Sequence, residues 1–186
     1  MFGSEFAGGG ELADTLFMRS KLCFTMALIA AFAAPTFAQS DVPATLLAHL
    51  KTSRAFTLKV AEQMPEATYD FKLTPPQMSF AGQMVHLSQA LDEYLSAFRG
   101  QKAAPRKPAS LSKKDVIAFV GQSFDGAIAT VSKLTAADLA KTYMGEDGKM
   151  TGLELVMAMF DHTTHHRASA EMYLRAKGIT PAEYQF

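Results

Sequence analysis

The chain has 186 residues, its 18 Lys and Arg are balanced by 18 Asp and Glu, and no basic stripe or long block of like charge breaks that balance. Nucleic acid is therefore excluded as an expected partner, because binding it needs clustered positive charge. One cysteine, Cys23, excludes a disulfide framework within the chain.

In chain order, residues 1–17 read as foreign to a fold. Gly3-Ser4-Glu5-Phe6 is the kind of tetrapeptide that adjoining cloning sites encode, and Gly8-Gly9-Gly10 reads as linker. Met18 opens a secretory signal peptide over 18–38: Arg19 and Lys21 form its basic region, Leu22 to Ala34 its apolar run, and Pro35-Thr36-Phe37-Ala38 its small-residue exit. The run of about thirteen residues is short of the roughly twenty that span a bilayer. The expectation is cleavage after Ala38 and an exported, periplasmic protein with no stable membrane anchor. Cys23 leaves with the signal, so the mature chain has no thiol chemistry. The remainder, 39–186, is one domain of about 150 residues, ample for a single core.

Four long helical patterns follow, and almost nothing reads as strand. The first runs from Asp41 or Pro43 to Met64, with Asp41 as N-cap, and is stopped by Pro65. Leu46, Leu47, Leu50 and Ala61 recur on it at helical spacing, with His49 among them. The loop Glu66 to Pro75 carries Tyr69 and Phe71 and is expected to tuck over one end of a helix bundle. Thr74 is placed to cap the second helix, with Pro75 and Pro76 in its first turn and Gln77 completing a capping box. That helix runs over Gln77–Arg99, and Phe80, Met84, Leu87, Leu91, Tyr94, Leu95 and Phe98 form its apolar arc. His86 lies at the border of the arc. Gly100–Ser110, rich in Lys, Arg and Pro, is a solvated crossover connection. Ser112 caps the third helix, which ends near Leu134. Thr135 begins a short helical turn through Ala140, and Tyr143–Lys149 is a polar loop punctuated by glycine.

The last helix, within Met150–Lys177, gathers His162, His165 and His166 into five positions, and the chain holds only five histidines. At about 100° per residue, Leu155, Val156, Met159, Phe160, Ala170, Tyr173 and Leu174 fall between about 20° and 160° from His162. His166, near about 40°, lies inside that arc, His162 on its edge, and His165, near about 300°, outside it. His162 and His166 therefore stack one turn apart toward the interior, and such a pair can share one divalent ion. A third ligand must come from His86 or His49. The border position of His86 matches that of His162, which selects His86. The pair His162 and His165 is the alternative, and it turns away from the apolar arc.

The chain resembles the DinB-like (DinB/YfiT-type) family of bacterial four-helix proteins over about Val42 to Pro181. The matching pieces are Met64-Pro65-Glu66 to Tyr69-Asp70-Phe71, Thr74-Pro75 to Gln77-Met78-Ser79-Phe80, His86-Leu87, Ser123-Phe124-Asp125, Asp161-His162 to His165-His166-Arg167, and Tyr173-Leu174-Arg175 to Lys177-Gly178-Ile179. The resemblance implies an all-α four-helix bundle, a metal bound by His86, His162 and His166, and a homodimer. It also implies transfer or isomerisation of thiol adducts as one activity. Where the family commonly has Gly-Gln after His-His-Arg, this chain has Ala168-Ser169, which leaves the ligands intact.

Three neutral imidazoles leave an ion with its full charge and an open position, suited to hydrolysis, thiol activation or isomerisation. Zinc and nickel are the expected metals, and iron and manganese also suit such a site. Thr163 stands where a zincin metalloprotease carries its glutamate base, which argues against a peptidase. Among the carboxylates Asp161, Glu171 and Glu93, Glu93 lies about 20° from His86 around the second helix and is the candidate acid or base. A solvated acid at the edge of an amphipathic helix has the same sequence signature. The function expected is a metal-dependent hydrolase or thiol transferase acting on an unidentified small molecule. The alternative is a metal-binding or stress-associated module in which the ion ties two helices together.

Overall fold

The computed structural model describes residues 41–145 and 148–185. The segments expected to be a non-native leader (1–17) and a signal peptide (18–38) lie outside the described residues.

Four long helices form the body: α1 (Val42–Gln63), α2 (Phe80–Ser96), α3 (Lys113–Val131) and α5 (Gly152–Ala176), with the short α4 (Ala136–Ala140) between the last two. Helix α2 packs against α3 and α5, and α1 closes the ring by packing against the same two helices. The ring order is thus α1, α3, α2, α5, and the consecutive helices α1 and α2 sit on its diagonal. The step across that diagonal is made by the segment 64–79. The core between the helices is filled by Leu50, Phe56, Phe80, Met84, Leu91, Phe124, Met159 and Tyr173, all essentially inaccessible to solvent.

The caps explain where the helices begin. Asp41 Oδ1 accepts from Ala44 N at 3.1 Å, and Pro43 in the first turn needs no N–H partner. Met64 turns to extended backbone ahead of Pro65 and ends α1. The expected loop over one end of the bundle is present. Tyr69 is buried, its hydroxyl donates to the Ala61 carbonyl at 2.6 Å, and Phe71 meets the edge of Tyr173.

Two expectations are corrected. The cap of α2 is Ser79, which accepts from Gly82 N at 3.0 Å, and not Thr74. Thr74 to Gln77 forms an isolated turn instead, closed by Gln77 N on Thr74 O. The cause is tertiary: the first-turn amides of Phe80 and Ala81 donate to the loop carbonyls of Phe71 and Tyr69, and these bonds fix the helix start. The segment read as a polar loop is a β-hairpin, β1 (Thr142–Gly145) against β2 (Gly148–Thr151), antiparallel with Tyr143 opposite Met150. Strands of four residues are too short to display an alternating pattern, and Tyr143 is held by packing on the Phe98 ring.

Helix α5 starts with a capping box between Thr151 and Glu154 and stops at Gly178, whose φ of 73° is the left-handed conformation that ends helices. Gly152, the first residue of α5 after the Thr151 cap, marks a close approach. A Cβ there would collide with the Asp138 carbonyl oxygen and come within 3.0 Å of Leu139 Cα and Phe98 Cε1. Backbone cannot yield as a side chain can, so Gly152→Ala is expected to cost about 1–3 kcal/mol of stability, read as a fall in the urea midpoint.

Candidate metal centre

Helices α2 and α5 carry the candidate ligands, and their packing decides whether the ligands meet. His162 and His166, one turn apart on α5, have ring centroids 4.5 Å apart, and the His86 ring on α2 lies 4.9 Å from the first and 4.5 Å from the second. Each ring offers a nitrogen, and the three nitrogens lie within 4.8 Å of one another. All three residues are half-buried. The selection of His86 over His49 agrees with this geometry, since the His49 ring packs on Phe160 instead, 4.6 Å between centroids. His165 is exposed and meets the edge of His166, as its angle on the helix predicts.

Polar neighbours fix how the rings present themselves. Gln83 Oε1 stands 2.6 Å from His166 Nδ1 and accepts its proton, so the lone pair of His166 is at Nε2. Gln83 is buried, one turn before His86 on the same helix. Sequence reasoning missed it, although its spacing of three from His86 was available as a signal. The Tyr94 ring packs against His162. His162 Nδ1 is buried and has no hydrogen-bond partner among the described residues.

Burial, followed by the neighbouring His162, His86 and His165, pushes the pKa of His166 down to about 4. Burial also lowers that of His162, with His86 and His165 adding to it. Crowding in a half-buried space disfavours the charged forms of His162 and His166 and so favours them as neutral ligands. The residues fit a divalent ion on these grounds: converging nitrogens, an orphaned buried nitrogen at His162, and a tautomer at His166 set by Gln83.

Two expectations arise here. Gln83→Leu is expected to weaken metal binding about 10- to 100-fold while leaving all three ligands in place, measured by competition with a chelator. In the metal-free protein, the folded state takes up the His166 proton only near pH 4, whereas an unfolded histidine does so near its ordinary value of 6.5. Between these values the unfolded chain binds more protons, so stability falls as pH drops through that window. Urea midpoints should show this fall, and His166→Gln should flatten it.

Of the three carboxylates considered, Glu93 lines a cavity of 250 Å³ that His86 also lines. Asp161 is exposed, and Glu171 pairs with Arg175 at 3.6 Å. Ala168 is exposed and Ser169 donates to the His165 carbonyl, so the two residues that depart from the family pattern stand outside the triad.

Comparison with known proteins places these features in context. The profile of the DinB superfamily matches residues 49–170. A DinB-like protein from Bacillus subtilis superposes with a TM-score of 0.63 at 19% identity, covering 76% of this chain and 96% of that one. Another DinB-like protein, from Bacillus cereus, gives 0.67 at 17% identity, covering 75% and 95%. These likenesses extend to the fold. No curated protein matches by sequence.

Proposed function

This chain belongs to the DinB superfamily, and from that premise we propose that it is a divalent-metal-dependent enzyme whose ion is held by His86, His162 and His166. The observation that carries the reading is the convergence of three imidazole nitrogens from two helices beside a cavity that reaches one of them, His86. A divalent ion, with zinc or nickel the favoured identities, supplies Lewis acidity toward a substrate oxygen or sulfur. The chain's own residues do the rest. Gln83 holds the His166 proton on Nδ1 and so keeps Nε2 available. Glu93, on the cavity wall, is the candidate proton acceptor.

Hydrolysis is the favoured reaction and thiol transfer the runner-up. The segment 18–38 supports export to the periplasm, where low-molecular-weight thiols of the cytosol are scarce. A homodimer is the assembly that the family resemblance supports. A second reading, with the ion as a clamp between α2 and α5, is favoured by the close contact of those helices around the half-buried rings.

The test is an assay of zinc- and nickel-loaded protein against a panel of esters and thiol conjugates. Turnover that disappears in the His86→Ala, His166→Ala protein supports the enzyme. Full metal loading with no turnover of either class favours the clamp.

A further inference from the structure

The cavity beside His86 is enclosed by three separate pieces of chain: α2, the connection 103–106, and α3. Its volume of 250 Å³ falls below the roughly 300–1,000 Å³ of pockets for drug-sized ligands, so the occupant is smaller. The charges on its wall are already engaged. Asp92 accepts from Arg99 at 2.8 Å, Glu93 has an interaction of its own, and the Arg106 guanidinium lies 5.4 Å over the Phe119 ring. A charged ligand end would give up its water here without gaining an unengaged counter-charge, which is costly. The hydrogen-bonding groups of the wall are a different matter. Ser88 is satisfied as helical serines commonly are, by donating to the carbonyl one turn back, that of Met84, at 2.7 Å. Ser123, on the α3 wall, makes no such bond: it is 4% exposed, and its hydroxyl has no hydrogen-bond partner among the described residues. A buried hydroxyl is costly to leave unsatisfied, which points to an acceptor on a ligand. On the α2 wall, Gln89 Nε2 donates to the Arg106 carbonyl at 2.6 Å, and this bond orients the side-chain amide and leaves Oε1 as an acceptor.

We propose that this cavity receives the non-reacting end of the substrate and that this end is an uncharged primary amide. Such a group offers an acceptor and a donor side by side, the complement of the two wall groups. Its carbonyl takes the Ser123 proton, and one of its N–H groups donates to Gln89 Oε1. Neither bond draws on Glu93, which keeps the proton-acceptor role given above. The inference rests on the metal-centre reading, and it narrows the substrate class to small carboxamides bearing a metal-seeking or hydrolysable group at the other end.

The test uses calorimetric titration of the zinc-loaded full chain with two probes. One is the hydroxamate of succinamic acid, which ends in a primary amide; the other is 4-methylpentanohydroxamate, in which methyl groups replace the amide oxygen and nitrogen. The amide probe is expected to bind about tenfold more tightly, the net effect of two neutral hydrogen bonds. Ser123→Ala and Gln89→Leu should each remove most of that preference while metal content stays at the wild-type level. Equal affinities for the two probes would overturn the inference with the metal centre intact. So would a preference that survives Ser123→Ala, since the hydroxyl would then serve no ligand. Tighter binding of succinate monohydroxamate or of β-alanine hydroxamate than of the amide probe would assign the pocket to a charged end, and would also overturn it. If neither of the first two probes binds better than it does to the His86→Ala, His166→Ala protein, the metal-centre reading falls and takes this inference with it.

Discussion

Replacing His86 and His166 together by Ala is expected to lower bound divalent metal from about one ion per chain to less than about a tenth of that. A divalent ion on a His site needs three or four ligands to compete with water, and the double variant keeps only His162. Both lost rings meet at 4.5 Å in the parent fold, so each substitution empties one side of the same small space. Elemental analysis of dialysed protein reads the loss directly. Stability gives a second reading. A ligand at a thousand times its Kd adds about 4 kcal/mol to a folded protein, so zinc or nickel should raise the unfolding midpoint of the parent and leave that of the variant unmoved. Unchanged stoichiometry in the double variant would remove the metal centre.

Arg167→Ala is expected to cost about 3–5 kcal/mol, the largest loss of stability from any single substitution considered. Arg167 follows a candidate ligand on α5 but is turned into the core, only 5% exposed. Three hydroxyls receive its donors: Nη1 reaches Ser53 Oγ at 2.8 Å and Thr57 Oγ1 at 3.4 Å, and Nη2 reaches Thr164 Oγ1 at 3.3 Å. Its guanidinium carbon lies 4.8 Å over the Phe56 ring. Burial lowers its pKa, partly offset by Glu171 and Tyr184. Truncation would therefore leave a cavity between α1 and α5 and strip the buried Ser53 hydroxyl of its donor. Arg167→Met separates the two causes, because it restores volume and stem packing without the donors. Urea unfolding should place the Met variant between Ala and the parent. A Met variant as weak as Ala would assign the whole effect to the hydroxyl bonds, and an Ala variant within about 0.5 kcal/mol of the parent would refute the packing role.

The helices were legible from sequence because each is specified by residues a few positions apart. Asp41, Ser112 and Thr135 stand at helix starts as side chains that cap their own first turns, and Gly178 supplies the left-handed stop. The α5 arc separated His162 and His166 from His165 by angle alone, and the structure keeps that separation. The third ligand was legible for a weaker reason, a matching border position on another helix. The ordered family pieces supported the same residue.

The start of α2, the hairpin and the polar side chains around the site were not legible, because their partners are remote in the chain. Phe80 and Ala81 begin a helix where they do because Phe71 and Tyr69 take their amide protons. Gln83 sets the His166 tautomer across 83 positions, and Arg167 reaches Ser53 across 114. Periodicity reports which side of a helix turns inward, but a polar residue on that side can be swallowed only if another segment brings it a partner. The sequence by itself determined the rods, their caps and the inward face that carries two imidazoles. Only the tertiary structure decided the ring order that brings His86 to them, the burial of Arg167 and the cavity walled by α2, α3 and the connection between them. Those features depend on contacts between distant segments, and a local hydrophobic pattern contains no term for such contacts.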